Sequence, residues 1–275
     1  MADIDSSVRH RFRFSLRRAF AALVLVALAR PAAAQPLVPP RPDGAEFMSR
    51  YGFHLSAAAL AHEDQRFAWD THWGGDLDLV DYVKGRLTFL ADYQAVLGDE
   101  FQPFDPNQGN YTLAVSGSVR PADATEVVFV FNHVSRHLGD RPKRFGIAWN
   151  VLETRLLRDV RVGGTTFGVQ AEAGYVTQRA YVDYRWTAGL DLRAFRQASP
   201  RVAWFGRLHG EWVGVSEDRV GRKGQQGGHV EAGVRVGGPG GVIELFVGYA
   251  KVIDADPLDR QPAQWAFAGF RVLDD

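Results

Sequence analysis

The 275-residue chain has no cysteine and only two methionines, and its basic and acidic side chains balance at 32 each. Each shortage excludes something. Without cysteine there are no disulfides, no thiolate-held metals and no lipid-modified cysteine to act as an anchor. Without a basic surplus a nucleic-acid partner is not expected. No apolar run reaches the ~20 residues that a membrane-spanning helix needs, so any membrane attachment must come from the fold. No cofactor motif stands out either, and none is expected.

What is present begins with a leader. Arg9, Arg11, Arg13, Arg17 and Arg18 precede the apolar run Ala19 to Ala29, and Ala32-Ala33-Ala34 supplies the small residues of a cleavage site. This is the pattern of a secretory signal peptide, here residues 1–34, and its removal leaves a mildly acidic mature chain. Arg17-Arg18-Ala19-Phe20 also resembles a twin-arginine signal. That route carries folded proteins, which suits a membrane barrel poorly. Residues 35–49 open with the proline-rich stretch QPLVPPRPD and read as an extended periplasmic lead-in.

From Arg50 onward, residues 50–275, the apolar and polar positions alternate in segment after segment. Strands are predicted over Arg50 to Leu60, Phe67 to Leu79, Arg86 to Leu97, Asn110 to Val119, Thr125 to Leu138, Phe145 to Leu156, Thr165 to Thr177, Tyr181 to Arg196, Arg201 to Val215, Gly228 to Val236, Val242 to Val252 and Gln264 to Leu273. Alternation is clean in the middle of the chain. Phe167, Val169, Ala171, Ala173 and Tyr175 share one face, and Gly168, Gln170, Glu172 and Gly174 share the other. A soluble sandwich would alternate too, so aromatic placement and loop length have to decide. Trp204 and Trp212 fall on one face of one strand, eight residues or roughly 26 Å apart, which a ~40° tilt projects to about 20 Å of membrane normal. Short connections (120–124, 197–200, 237–241) interleave with long ones (98–109, 216–227, 253–263). These features point to an antiparallel up-and-down β-barrel of about twelve strands in the outer membrane, with its long loops outside the cell. A soluble periplasmic β-protein is the alternative fold reading.

Three sets of residues carry possible chemistry. Asp183, Arg185, Asp191, Arg193, Arg207, His209, Glu211, His229, Glu231 and Arg235 fall on the expected inner faces of three consecutive strands. Their mixed signs favour a salt-bridged filling of the lumen over a selective pore, because buried charges persist when paired. Asp70, His72, Asp76 and Asp78 alternate with Phe67, Trp69, Trp73, Leu77 and Leu79. Such spacing can serve a metal, but it equally describes one wet strand face, and no metal is expected. The third set is the segment Asn132 to Asp140, in which His133, Ser135 and His137 continue the face of Phe129 and Phe131.

The His133-x-Ser135 pair resembles that of the lipid A deacylase barrels, whose His-x-Ser on the outer wall cleaves an acyl chain from lipid A. The resemblance implies His133 as base and Ser135 as nucleophile. That family's next residue is Asn, where Arg136 stands here, and no orienting carboxylate is found among Phe145, Ile147 and Trp149, expected to face outward on the next strand. The wider segment HVSRHLGD (His133 to Asp140) is similar to the His-x-Ser-Ser-His-Leu-Gly-Asp-Glu hairpin of a family of bacterial outer-membrane barrels without an assigned activity. Thr187 to Arg193 (TAGLDLR) and the closing strands fit the order of that family, whereas Arg136 and Arg141 depart from its Ser and Glu. In that resemblance Gly139 and Asp140 form a turn braced by Ser135 and His137.

The sequence thus reads as an exported outer-membrane barrel with a side-chain-filled lumen and a structural or transport-related role, leaning away from an enzyme. A lipid A acyl hydrolase using His133 and Ser135 is the second reading. Expected partners are outer-membrane lipid and lipopolysaccharide, and the barrel-assembly machinery during biogenesis.

Overall fold

In the computed structural model, residues 36–139, 141, 143–216 and 221–274 are described. The expected leader and Asp140 lie outside these residues. Twelve strands follow in chain order: β1 (Glu46–Ala61), β2 (Trp69–Tyr82), β3 (Gly85–Gly98), β4 (Asp105–Ala122), β5 (Thr125–Leu138), β6 (Ile147–Val162), β7 (Thr165–Ala180), β8 (Tyr184–Ser199), β9 (Val202–Val215), β10 (Gln225–Gly238), β11 (Gly241–Asp256) and β12 (Gln261–Leu273). Each pairs antiparallel with its chain neighbours, and β1 closes on β12 from His54↔Leu273 to Ala61↔Ala266. The expected count holds, and the alternation under-reads mainly the strand ends. Some starts are over-read: β2 begins at Trp69, β6 at Ile147, β8 at Tyr184 and β9 at Val202, after the Phe67, Phe145, Tyr181 and Arg201 expected.

Connections sort by length. Residues 83–84, 123–124, 163–164, 200–201 and 239–240 are two-residue turns at one end, and all longer loops lie at the other. Gly163 and Gly164 both have positive φ (54° and 80°), which a type I′ turn requires and glycine adopts without strain. The tight end is periplasmic and the loop end extracellular in barrels of this kind.

Alternation divides the wall. Phe129, Phe131, Leu152, Leu156, Trp204, Leu208, Trp212, Leu245 and Val247 are exposed on the outer surface, where lipid would cover them. Trp204 and Trp212 share that surface as expected. Inside, charges pair. Arg86 bridges Glu126 (2.9 Å) and Asp78 (3.3 Å), Arg50 reaches Asp76 (2.7 Å) and Asp78 (2.9 Å), and Arg120 reaches Asp81 (2.8 Å). Past the β1–β12 seam Arg271 joins Glu231 (3.2 Å) to Glu244 (2.6 Å), and Arg235 also holds Glu244 at 2.6 Å.

The lumen is not polar throughout. Beneath the loops Trp149, Val151, Val176, Tyr184, Val213 and Ile253 form one apolar cluster, and Phe67, stacked on Trp265, joins Val96, Ala250 and Ala255 in another. Phe67 is therefore inside, not on the outer face expected for it, because it precedes β2 and folds back under the loop.

Candidate active site

Of the expected lumen set, Asp191 gathers Arg193 (2.6 Å), Arg207 (2.5 Å) and His209 (3.6 Å), and the His209 and His229 rings stack at 5.2 Å. Glu231 and Arg235 belong to the second network, and Glu211 is half-buried in β9. Two members stand elsewhere. Asp183 precedes β8 in the loop, where Arg222 (3.1 Å) and Arg260 (3.9 Å) hold it beneath the extracellular end. Arg185 is exposed, because the register shifts between Tyr184 and Trp186 and takes it off the inner face.

The Asp70, His72, Asp76, Asp78 face also points inward. His72 lies between Asp70 (3.4 Å) and Asp92 (3.2 Å), and His54 caps Asp92 at 2.7 Å. Among the described residues no three His, Asp or Glu side chains are placed to share a metal ion. Asp76 and Asp78 are the counter-ions of Arg50. The partners missed in the sequence, Arg50, Arg86, Arg120, Glu126, Glu244 and Arg271, lie in other segments. Only cross-strand register reveals them.

The loop end is tied by further ion pairs. Asp254 takes the Tyr184 hydroxyl (2.7 Å) and Arg222 (2.5 Å), and Asp256 takes Arg141 (2.6 Å) and Arg66. Arg66 also grips Asp64 at 2.7 Å in the loop after β1, and this hydrogen bond holds the Asp64 carboxyl below its ordinary value.

His133, Ser135 and His137 are on the outer wall of β5, in line with the exposed Phe129 and Phe131. Ser135 stands about ten residues above Thr125. At ~3.3 Å per residue and ~40° of tilt that is roughly 25 Å along the membrane normal, the upper edge of a ~25 Å apolar band. An aromatic row leads to it across the neighbouring strands. Trp73 stacks on Tyr93 (5.0 Å), Tyr93 lies against Tyr111 (4.7 Å), and Tyr111 meets the edge of His137 (5.3 Å). Tyr and Trp concentrate where acyl chains give way to headgroups.

A polar chain runs the other way. The His133 Nδ1–H donates to Asn150 Oδ1 at 2.6 Å, and Asn150 Nδ2 donates to Gln178 Oε1 at 2.8 Å. Because the Asn150 amide nitrogen is committed to Gln178, its carbonyl oxygen faces His133. With the amides in this orientation the proton sits on Nδ1 and Nε2 is the basic nitrogen. Ser135 Oγ contacts His137 Nε2 at 3.2 Å, so an imidazole on this strand spans the two-residue step to the hydroxyl. This is the Ser135–His137 bracing pair expected from the hairpin resemblance; His133, two residues away on the other side, makes no hydrogen bond to Ser135 here.

This corrects the expected facing of β6. Ile147 and Trp149 are buried inside, Phe145 precedes the strand, and the even residues Ala148, Asn150, Leu152 and Leu156 form the outer face. The orienting group is an amide on that face rather than a carboxylate. Gln178 reaches it because the register shifts beside Asn150 and Val151, where Gln178 pairs with the former and Val176 with the latter. A bulge of this type re-aims a side chain that strict alternation would send inward. At the tip of the hairpin Gly139 donates its N–H to Asn107 at 2.9 Å, and a Cβ there would collide with the Pro106 carbonyl oxygen. Close approach of the Pro106 carbonyl, and not a left-handed backbone, demands glycine.

No family model matches the chain, and no curated protein does. Solved structures are similar in fold. The outer membrane phospholipase A of Escherichia coli superposes with a TM-score of 0.50 at 11% identity, over 82% of this chain and 92% of that one. The calcium-bound outer membrane phospholipase dimer of Salmonella typhi gives 0.50 at 13%, over 82% and 90%. LpxR of Salmonella typhimurium gives 0.48 at 8%, over 81% and 99%. At such identities the likeness establishes architecture alone: the chain has the fold of an outer-membrane β-barrel.

Proposed function

We propose that this barrel is an acyl-ester hydrolase working on lipid at its outer wall, with Ser135 as nucleophile, His133 as general base and Asn150 as the residue that orients the base. The observation that carries the reading is the directed chain from Gln178 through Asn150 to His133, two residues from a hydroxyl at the height of the headgroups. A side chain there meets the ester bonds of a lipid without extracting it from the bilayer. In the first half-reaction His133 Nε2 takes the Ser135 proton as Oγ bonds to the ester carbonyl carbon. The carbon–alkoxy bond then breaks, and the same nitrogen protonates the departing oxygen. Water then bonds to the acyl carbon as His133 takes its proton, the acyl carbon–Oγ bond breaks, and His133 returns the proton to Ser135 as the fatty acid leaves.

Two of the similar folds are phospholipases by name, so phospholipid joins lipid A among the esters to test. Purified protein in mixed micelles with each lipid should release fatty acid detectable by mass spectrometry, and Ser135→Ala should abolish the release. Equal release by both proteins, or none by the wild type with either lipid, refutes the assignment. A purely structural barrel is the second reading, and the paired charges filling the lumen favour it.

A further inference from the structure

Within the expected lead-in, residues 36–43 lie against the periplasmic end of the barrel wall. From the start of β1, where Glu46 pairs with Asp81 at the periplasmic rim, the chain runs backward across the mouth of the barrel. Arg41 bonds the Arg120 carbonyl (3.2 Å) and pairs with Asp123 (3.4 Å) beside the β4–β5 turn. Val38 is then buried against Ala114, Val128, Val130 and Leu157, with Leu37 partly buried beside it. The Val38 N–H donates to Asp159 at 2.9 Å, and Leu37 occupies the space left by the missing side chain of Gly168, where a Cβ would come within 2.9 Å.

We infer that the inner wall of β4 to β7 is a binding site for a proline-bracketed apolar peptide, occupied in cis by residues 36–43, which forms a releasable strap over the periplasmic mouth. Three features support it. The wall is shaped for an occupant, since Ala114, Val128, Val130 and Leu157 form an apolar patch beside the paired charges of the periplasmic half, and Gly168 opens a notch next to it. The occupant is shaped for the wall. Pro36, Pro39, Pro40 and Pro42 preset an extended backbone and remove N–H groups that would need partners inside, so docking orders little that was free. The anchors are also few: one buried valine with a partly buried leucine beside it, two hydrogen bonds and one ion pair whose carboxylate is exposed. None belongs to the barrel's hydrogen-bonded ladder, so the strap can leave while the barrel stays closed. This inference does not depend on the hydrolase reading.

The chain's lack of cysteine makes the test clean. Val38→Cys combined with Val130→Cys should form an intramolecular disulfide in the outer membrane, whereas Val38→Cys with Val242→Cys, across the barrel in β11, should not. A synthetic peptide of residues 35–44 should bind the barrel lacking residues 36–43, and binding to the intact chain should be at least tenfold weaker because the site is filled. Val38→Asp should expose the segment to protease from the periplasmic side at least tenfold faster than in the wild type. Heat-modifiable migration reports that each variant has folded. Folded protein that gives no crosslink between positions 38 and 130, or a truncated barrel that binds no peptide, overturns the proposal.

Discussion

Replacing Arg86 by methionine tests whether the inner ion pairs hold the barrel or merely decorate it. The Arg86 side chain is 10% exposed, and its two partners Glu126 and Asp78 are 0% exposed. Methionine keeps the apolar stem and removes the fork that gives Glu126 two hydrogen bonds, at 2.9 and 3.1 Å. Asp78 retains Arg50 and the Thr88 hydroxyl (2.6 Å), but Glu126 keeps only Ser118 and a loose approach of Arg120 at 3.9 Å. Breaking a buried pair from one side costs ~3–5 kcal/mol, and the lower end applies here because one of the two carboxylates keeps a cation. The folded-to-unfolded ratio under fixed denaturant should fall about a hundredfold, at roughly 1.4 kcal/mol per factor of ten. Urea unfolding in lipid vesicles, followed by tryptophan fluorescence, reads this directly. Adding Glu126→Gln removes the orphaned charge, so the double variant should regain about half of the loss. An Arg86→Met variant within about 1 kcal/mol of the wild type would refute the reasoning.

Other outcomes follow from the same geometry. Asn150→Ala should leave Ser135 in place yet lower ester hydrolysis by roughly ten- to a hundredfold, because the imidazole loses its fixed tautomer, while Gln178→Ala should cost less and act mainly on kcat. Gly139→Ala forces a Cβ against the Pro106 carbonyl and should destabilise the extracellular hairpin by about 1–3 kcal/mol, measurable by faster proteolysis of the loop after β5. Asp64 titrates below its ordinary value, so its contribution is present above about pH 4 and is lost as pH falls through the lower folded value; hydrogen exchange in residues 62–68 should rise on acidification and stay flat in Asp64→Asn. The pure protein should show no large steady conductance in planar bilayers, and porin-like channels would contradict the paired filling.

The sequence disclosed the barrel because most strands have one wet and one greasy face, and it disclosed the outward facing of His133 and Ser135 because Phe129 and Phe131 set the phase of β5. It hid Asn150 for an equally physical cause. At the extracellular end the inner wall is itself apolar, built of Trp149, Val151, Tyr184 and Val213, so β6 is greasy on both sides near its start and its phase cannot be read from polarity. Gln178 and Arg185 escaped for a different reason, since local shifts of register exchange inside for outside without any mark in composition. Charge partners such as Arg86 and Glu126 are 40 residues apart, and their meeting depends on a register that no local pattern carries.

The inward charges have a consequence for how the chain reaches its destination. With mean hydropathy of −0.19, the polypeptide resembles a soluble protein to any machinery that samples it as a linear thread. Wound as a helix in a translocation channel, an alternating strand would show acid and base on every side and would not partition into the inner membrane. Folding sorts the same residues, sending Asp78, Glu126 and Arg86 inward and Phe129 and Phe131 outward. The greasy coat therefore comes into being only on barrel closure, and the same closure hides the charges that kept the linear chain water-compatible.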